Sequence, residues 1–76
     1  MVFYNVEYNG TFLKISADDE EMSTKRLKNH ILRHFDKITY DNLKIFLRED
    51  ESTFNLDDNE LVDNSQIFIL EIDADF

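Results

Sequence analysis

Apolar and polar residues alternate on both sides of Asn9-Gly10, which predicts a β-hairpin over residues 2–17. Asn-Gly is the preferred pair for a two-residue type I′ turn, because both turn positions need a positive φ. This turn sets Tyr8 opposite Thr11 and gives the hairpin a core face of Val2, Tyr4, Val6, Leu13, Ile15 and Ala17. The other face is polar with two aromatic residues and consists of Phe3, Asn5, Glu7, Phe12, Lys14 and Ser16.

Residues 22–35 follow a four-residue repeat instead, which predicts one face of an α-helix formed by Leu27, Ile31 and Phe35. Ser23 is the predicted N-cap, because its hydroxyl can accept a hydrogen bond from an amide of the first turn. Met22 and Leu27 have the spacing of a hydrophobic staple. We interpret the acidic run 18–21 as solvated carboxylates next to the positive end of the helix dipole.

Alternation returns at residues 43–47, which predicts a third strand with Leu43, Ile45 and Leu47 inward and with Lys44 and Phe46 outward. Residues 53–56 are expected to form a short edge strand. We expect residues 57–65 to be a loop in which a helical turn buries Leu61. Residues 66–72 form the most apolar run of the sequence, which indicates a strand paired on both sides in the middle of the sheet.

The side-chain parity of this last strand has two solutions. We favour Ile67 and Ile69 facing the helix, whereas taking Glu71 as the outward residue gives the opposite assignment. With the favoured parity, apolar groups gather on the outer face of the sheet, where they are typical of a partner site unless a flanking segment covers them. The candidate partner-binding residues are then Phe3, Phe12, Lys44, Phe46, Phe68 and Leu70.

The order of elements is hairpin, helix, strand, short strand and central strand. A helix that connects the hairpin to a third strand must cross one face of the sheet, and such crossovers are right-handed. We therefore predict an α+β fold of the β-grasp type, with a mixed four- to five-stranded sheet and one helix packed across one face. Residues 1–76 are expected to form one domain, which could be the N-terminal piece of a longer protein.

Composition narrows the choice of partner. The net charge of −9 disfavours nucleic acid, which binds basic patches, and makes a basic protein surface the electrostatically favoured partner, although we interpret the acidity first as a property that keeps a small domain soluble. The sequence contains no apolar run long enough for a transmembrane helix and no signal peptide, so we expect a soluble intracellular protein that is monomeric in isolation and does not bind membranes.

Candidate catalytic and metal-binding groups are weak. His30 and His34 have helical i, i+4 spacing, but we interpret them as one partly buried and one exposed histidine, with His34 beside the apolar stripe. Residues 57–60 lack the pattern and the glycine of a calcium loop. No nucleophile elbow or phosphate-binding loop is present. We therefore expect no catalytic activity, no metal and no cofactor.

The length and the order of elements resemble those of ubiquitin. A narrower resemblance is to the DWNN domain, a ubiquitin-like domain that opens a family of RING-finger proteins of pre-mRNA cleavage and polyadenylation. It rests on Phe3-Tyr4, Leu27-Lys28 with Ile31, Leu43-Lys44-Ile45, Phe54 with Asp57-Asp58-Asn59-Glu60-Leu61-Val62, and Asn64-Ser65 before the last strand. The sequence departs from that family in its tight hairpin, in the missing proline after Val62 and in Leu70-Glu71-Ile72, where the family has basic residues and a proline.

The resemblance implies a ubiquitin-like docking domain in the nuclear 3′-end processing complex, in contact with its endonuclease subunit. RING and zinc-knuckle segments would then follow. The alternative is a free-standing ubiquitin-like modifier or scaffold protein. Because the sequence ends on Ala-Asp-Phe rather than Gly-Gly, we do not expect it to be conjugated as ubiquitin is.

Overall fold

The computed structural model describes residues 1–73, which form a five-stranded sheet, a two-stranded sheet and one α-helix. In chain order the elements are β1 (Val2–Tyr8), β2 (Thr11–Ala17), β3 (Glu21–Ser23), α1 (Thr24–Leu32), a 3-10 turn (Tyr40–Asn42), β4 (Leu43–Glu49), β5 (Ser52–Asn55), β6 (Leu61–Asp63) and β7 (Ile67–Ile72). The large sheet has the order β2-β1-β7-β4-β5. β7 is parallel to β1 and antiparallel to β4, so it is the central strand that the sequence predicted.

The N-terminal hairpin has the predicted register, with Tyr8 opposite Thr11 and Tyr4 opposite Ile15. Asn9 and Gly10 have φ values of 51° and 79°, as a type I′ turn requires. The predicted core face of the hairpin is confirmed: its middle residues are buried, and Val2 and Leu13 pack against the core from its margin.

Helix α1 begins after Ser23, whose side-chain oxygen accepts a hydrogen bond of 3.2 Å from the Arg26 amide, so the predicted N-cap is confirmed. The helix ends earlier than the apolar repeat suggested. The His34 amide bonds to the carbonyl three residues before it, and this tighter pattern closes the helix. Phe35 still packs against the core, edge-to-face with the Tyr8 ring at a centroid distance of 5.8 Å.

A two-stranded sheet of β3 and β6, which the sequence did not predict, joins the acidic run to the segment before β7. In β6 the structure buries Val62 and leaves Leu61 67% exposed, so the expectation of a helical turn that buries Leu61 is wrong. Three-residue strands are too short to show a period of two in the sequence. The start of α1 lies beside this small sheet, where the Thr24 amide and hydroxyl both donate to the Glu60 carbonyl.

The favoured parity of the last strand is wrong. Phe68 is 0% exposed and Leu70 is buried, whereas Ile67 is 40% exposed and Ile69 is partly buried. Cross-strand pairing gives the reason, because Phe68 lies opposite Val6 of β1 and Leu47 of β4, which both face the helix. The side chains of the core come from both layers: Tyr4, Val6, Ile15, Ala17, Met22, Leu27, Ile31, Leu43, Ile45, Leu56, Val62, Phe68 and Leu70.

The architecture is an α+β ubiquitin-like β-grasp, as predicted, with five strands and α1 packed on one face. Burying one face of the sheet under the helix leaves the other face without a covering element among residues 1–73. Residues 74–76, on which the expectation about conjugation depends, lie outside the described part of the chain.

Candidate docking face

The sheet surface opposite α1, here called the outer face, is built from the outward residues of five strands. They are Phe3, Asn5, Glu7, Phe12, Lys14, Ser16, Lys44, Phe46, Arg48, Thr53, Asn55, Ile67, Ile69 and Glu71. Each is exposed or only partly buried, although five are apolar or aromatic: Phe3, Phe12, Phe46, Ile67 and Ile69.

Three of these residues form an apolar centre: Phe46, Ile67 and Ile69. Phe46 lies directly opposite Ile69 in the β4–β7 ladder, and Ile67 is the next outward residue of β7. Directly opposed side chains of antiparallel strands are close enough to contact each other. The centre therefore presents three apolar side chains close together on β4 and β7.

Phe3 on β1 and Phe12 on β2 are 48% and 63% exposed and lie toward opposite ends of the hairpin, because Phe3 is opposite Ser16 and Phe12 is opposite Glu7. They are separated from the apolar centre by Asn5 and Glu7, which are the outward residues of β1 beside Ile67 and Ile69. Phe3 and Phe12 are therefore separate apolar points on the outer face rather than a continuation of the apolar centre.

Of the six residues predicted to bind a partner, the structure places four on the outer face and two in the core. Phe3, Phe12, Lys44 and Phe46 do lie on the outer face, whereas Phe68 and Leu70 belong to the core and cannot contact a partner there. Their places are taken by Ile67 and Ile69. Glu71 was the signal that could have found them, because a charged residue beside the helix would be costly to bury and so fixes the parity.

Two exposed ion pairs cross the outer face. The Arg48 guanidinium lies 3.4 Å from the Glu7 carboxylate, and the Lys44 ammonium lies 3.0 Å from Asp73. The hydrogen bond and charge of Asp73 raise the pKa of Lys44 above its ordinary value, so Lys44 remains charged at neutral pH. Exposed pairs of this kind contribute little to stability, because solvent screens the attraction, and they can exchange partners.

On the helix side, one polar cluster links α1 to two loops. The Lys28 ammonium lies 3.1 Å from the Asp58 carboxylate and 4.9 Å from the centre of the Tyr40 ring. The buried Tyr40 hydroxyl makes no hydrogen bond of good geometry among residues 1–73, yet it is close enough to Asp58 for each group to shift the pKa of the other.

Burial, and then the Asp58 carboxylate, raises the pKa of Tyr40 to about 12. The Tyr40 hydroxyl and the Lys28 ammonium hold the pKa of Asp58 below its ordinary value. Through these contacts the cluster joins α1 to the 3-10 turn and to the loop after β5.

A shallow cavity of about 100 Å³ lies between the hairpin and α1 and is lined by Met1, Ser16, Ala17, Asp18, His30 and Arg33. It is smaller than the roughly 300 Å³ at which small-molecule sites begin. His30 is the partly buried histidine and His34 the exposed one, the reverse of their expected placement. Burial and the neighbouring Arg33 lower the pKa of His30.

Among residues 1–73, no group of three or more His, Asp or Glu side chains is arranged to hold a metal ion. In the same residues, no helix combines the length and the apolar character needed to cross a membrane.

The comparisons with known proteins support the fold. No protein-family model and no curated protein matches the sequence. Among solved structures, the chain is similar to one in the crystal structure of ATBAG1 in complex with HSP70, with a TM-score of 0.73 and 15% sequence identity over 97% of this chain. This chain spans 41% of the length of that one. At such low identity the likeness concerns the ubiquitin-like fold alone.

Proposed function

We propose that this chain is a non-catalytic docking domain that binds a protein partner through the outer face of its sheet. The observation that supports the proposal best is the apolar centre of Phe46, Ile67 and Ile69, which has no covering element among residues 1–73. Contiguous apolar side chains at a surface rimmed by polar residues are typical of protein-interaction sites.

Two further features agree with docking rather than catalysis. The cavity beside His30 is small and open, and the perturbed pKa values of Tyr40 and Asp58 belong to a cluster that joins the helix to its loops. The similar fold occurs in ATBAG1, whose structure is a complex with HSP70, so this architecture is found in a protein that has a protein partner.

We further propose that the partner belongs to the pre-mRNA 3′-end cleavage and polyadenylation complex in the nucleus, with its endonuclease subunit as the first candidate. This rests on the resemblance to the DWNN domain described above. A free-standing ubiquitin-like modifier or scaffold protein is the alternative.

Binding of the purified domain to the endonuclease subunit of the same organism, measured by isothermal titration calorimetry, tests this proposal. We expect Phe46→Asp and Ile69→Asp to weaken binding at least tenfold, because a buried unpaired carboxylate in an interface is costly. Phe54→Asp is the matched control: Phe54 is 50% exposed on edge strand β5 but lies on the helix side of the sheet.

The melting temperature of each variant separates loss of binding from loss of fold. Binding by the wild type that persists in both outer-face variants would contradict the docking face. No binding to the endonuclease subunit would contradict the proposed partner, and the sequence downstream of residue 76 would then discriminate a RING-bearing protein from a free-standing one.

A further inference from the structure

Charge is distributed unevenly between the outer face and the rest of the domain. The outer face contains three cations, Lys14, Lys44 and Arg48, against three acids, Glu7, Glu71 and the Asp73 that pairs with Lys44, a net charge of 0. Among residues 1–73, the remaining five Lys and Arg residues and thirteen Asp and Glu residues lie elsewhere and give −8. The strongly acidic character of the protein therefore does not extend to its apolar docking surface.

The three cations border the apolar centre on different sides. Arg48 lies directly opposite Ile67 on β4, and Lys14 lies two strands away on the same cross-strand row, beyond Asn5. Lys44 is the next outward residue of β4 after Phe46. Asp73, just beyond β7, pairs with Lys44 at the margin, whereas Lys14 forms no ion pair with residues 1–73.

The ion pair of Arg48 and Glu7 spans the central strand. Glu7 lies beside Ile69 on β1 and Arg48 lies opposite Ile67 on β4, so the pair passes across β7 between the two isoleucines. Both side chains remain accessible to solvent, at 45% for Arg48 and 23% for Glu7. A ligand that covers the isoleucines must therefore displace Glu7 or supply an acceptor of its own for Arg48.

We propose that the outer face selects an apolar segment that bears carboxylates, in which one carboxylate replaces Glu7 as the partner of Arg48 and others pair with Lys14 and Lys44. This inference rests on the proposed docking function. It is the opposite of the basic partner that the total charge of −9 predicts. Local charge decides the preference because exposed charges more than about 8 Å apart are largely screened at physiological ionic strength.

A displayed library of amphipathic peptides tests this preference without a known partner. All members have the same apolar stripe, and the positions beside the stripe are varied among Asp, Glu, Lys, Arg, Ser and Gln. The library is selected on the wild-type domain and depleted on Ile69→Asp, so that the retained peptides bind the apolar centre. We expect Asp and Glu to be enriched over Lys and Arg at the varied positions.

The affinities of the selected peptides for variants of the domain then show which charged residues contribute to binding. Arg48→Glu should weaken binding about tenfold, as expected for replacing attraction by like-charge repulsion at an interface. Lys25→Glu is the matched control, because it makes the same change in net charge at an exposed position of α1, on the other side of the sheet. Glu7→Gln frees Arg48 and should strengthen binding by about threefold, the size of a partly exposed ion pair.

The results test the acidic preference and the docking face separately. Enrichment of Lys and Arg, or equal weakening by Arg48→Glu and Lys25→Glu, overturns the acidic preference while leaving the docking face intact. A selection that retains no peptide sensitive to Ile69→Asp overturns the docking face itself, and with it this inference. A peptide-free dimer that Arg48→Glu dissociates would show that a second copy of the domain is the ligand.

Discussion

Residues 67–70 of the central strand are all apolar, yet the two faces of the strand differ in burial. On the helix side, Phe68 and Leu70 are buried, and on the outer face Ile67 and Ile69 remain accessible. The difference comes from the neighbours across the strand, since Val6 and Leu47 flank Phe68 whereas Glu7 and Phe46 flank Ile69. Hydrophobicity alone therefore does not distinguish a core residue from an exposed residue in a strand paired on both sides.

The largest expected effect is the loss of stability when a residue on the helix side of β7, rather than one on its outer face, is replaced by alanine. Phe68→Ala should lower the free energy of unfolding by about 3–5 kcal/mol, because it leaves a cavity in the core. In a domain of this size that lowers the melting temperature by tens of degrees, since each kcal/mol is worth about 4–8 °C. Ile67→Ala should cost about 1 kcal/mol or less. Thermal denaturation followed by circular dichroism measures both, and equal losses would contradict the assignment of the two faces.

A threonine on each side of the sheet gives a second comparison. Thr24 is fully buried at the start of α1 and its hydroxyl donates to the Glu60 carbonyl at 2.9 Å, whereas Thr53 is exposed on the outer face. Thr24→Val keeps the shape and should cost about 1–2 kcal/mol through the lost hydrogen bond. Thr53→Val should change stability by less than about 0.5 kcal/mol. Chemical denaturation measures both, and a neutral Thr24→Val would exclude an energetic role for this hydrogen bond.

Removing the N-cap of α1, on the helix side of the sheet, should cause a smaller loss of stability. Ser23→Ala removes the acceptor for the Arg26 amide and should cost about 1 kcal/mol. Ser16→Ala, a change of the same kind on the outer face of β2, is the control and should cost less. The difference in denaturation midpoint between the two variants is the measured quantity. If Ser16→Ala proves as costly as Ser23→Ala, the capping bond contributes nothing of its own.

Asp58 should make the stability of the domain depend on pH in the acidic range. Its pKa lies below the ordinary value of 3.8 in the folded state, so the stabilisation that it provides is present above that pH and is lost as the pH falls through the folded pKa. Asp58→Asn should therefore lower the melting temperature at pH 7 by a few degrees and have less effect near about pH 3. Asp57→Asn, at the exposed neighbouring position, is the control. A pH-independent effect of Asp58→Asn would contradict the role of its charge.

The smallest effect is expected on the outer face. Glu7→Gln breaks the ion pair with Arg48, which should change stability by less than about 0.5 kcal/mol because the pair is exposed. A decrease in the free energy of unfolding above about 1 kcal/mol would mean that the pair stabilises the sheet, and would contradict the proposal that Arg48 can exchange Glu7 for a carboxylate of a ligand. Equilibrium denaturation of wild type and variant at low and physiological salt measures this difference.

The fold could be predicted because its strongest signals are local. Asn9-Gly10 fixes the register of the hairpin, Ser23 marks the start of the helix, and the apolar run before Glu71 identifies the central strand. The small β3–β6 sheet could not be predicted, since each strand has three residues and its pairing depends on tertiary contacts. The helix end was misplaced because Phe35 continues the apolar repeat but packs on Tyr8 from beyond the last turn.

The docking face was predicted only in part for a related reason. Four of its residues lie on strands with clear alternation, so their direction followed from the sequence. In residues 67–70 every side chain is apolar, and one charged residue, Glu71, had to decide the parity of the whole strand. Burying an unpaired carboxylate costs more free energy than exchanging one apolar side chain for another in the core. Glu71 is therefore a stronger indicator of the parity of β7 than the apolar residues before it.

Solvent relaxation of isoleucine methyl groups tests the division of the sheet most directly. With the δ1 methyls labelled and a soluble paramagnetic agent added, the methyls of Ile67 and Ile69 should relax much faster than those of Ile31 and Ile45, which are 0% and 1% exposed. Slow relaxation of Ile67 and Ile69, at the level of Ile31 and Ile45, would place them in the core and contradict both the parity of β7 and the docking face built on it.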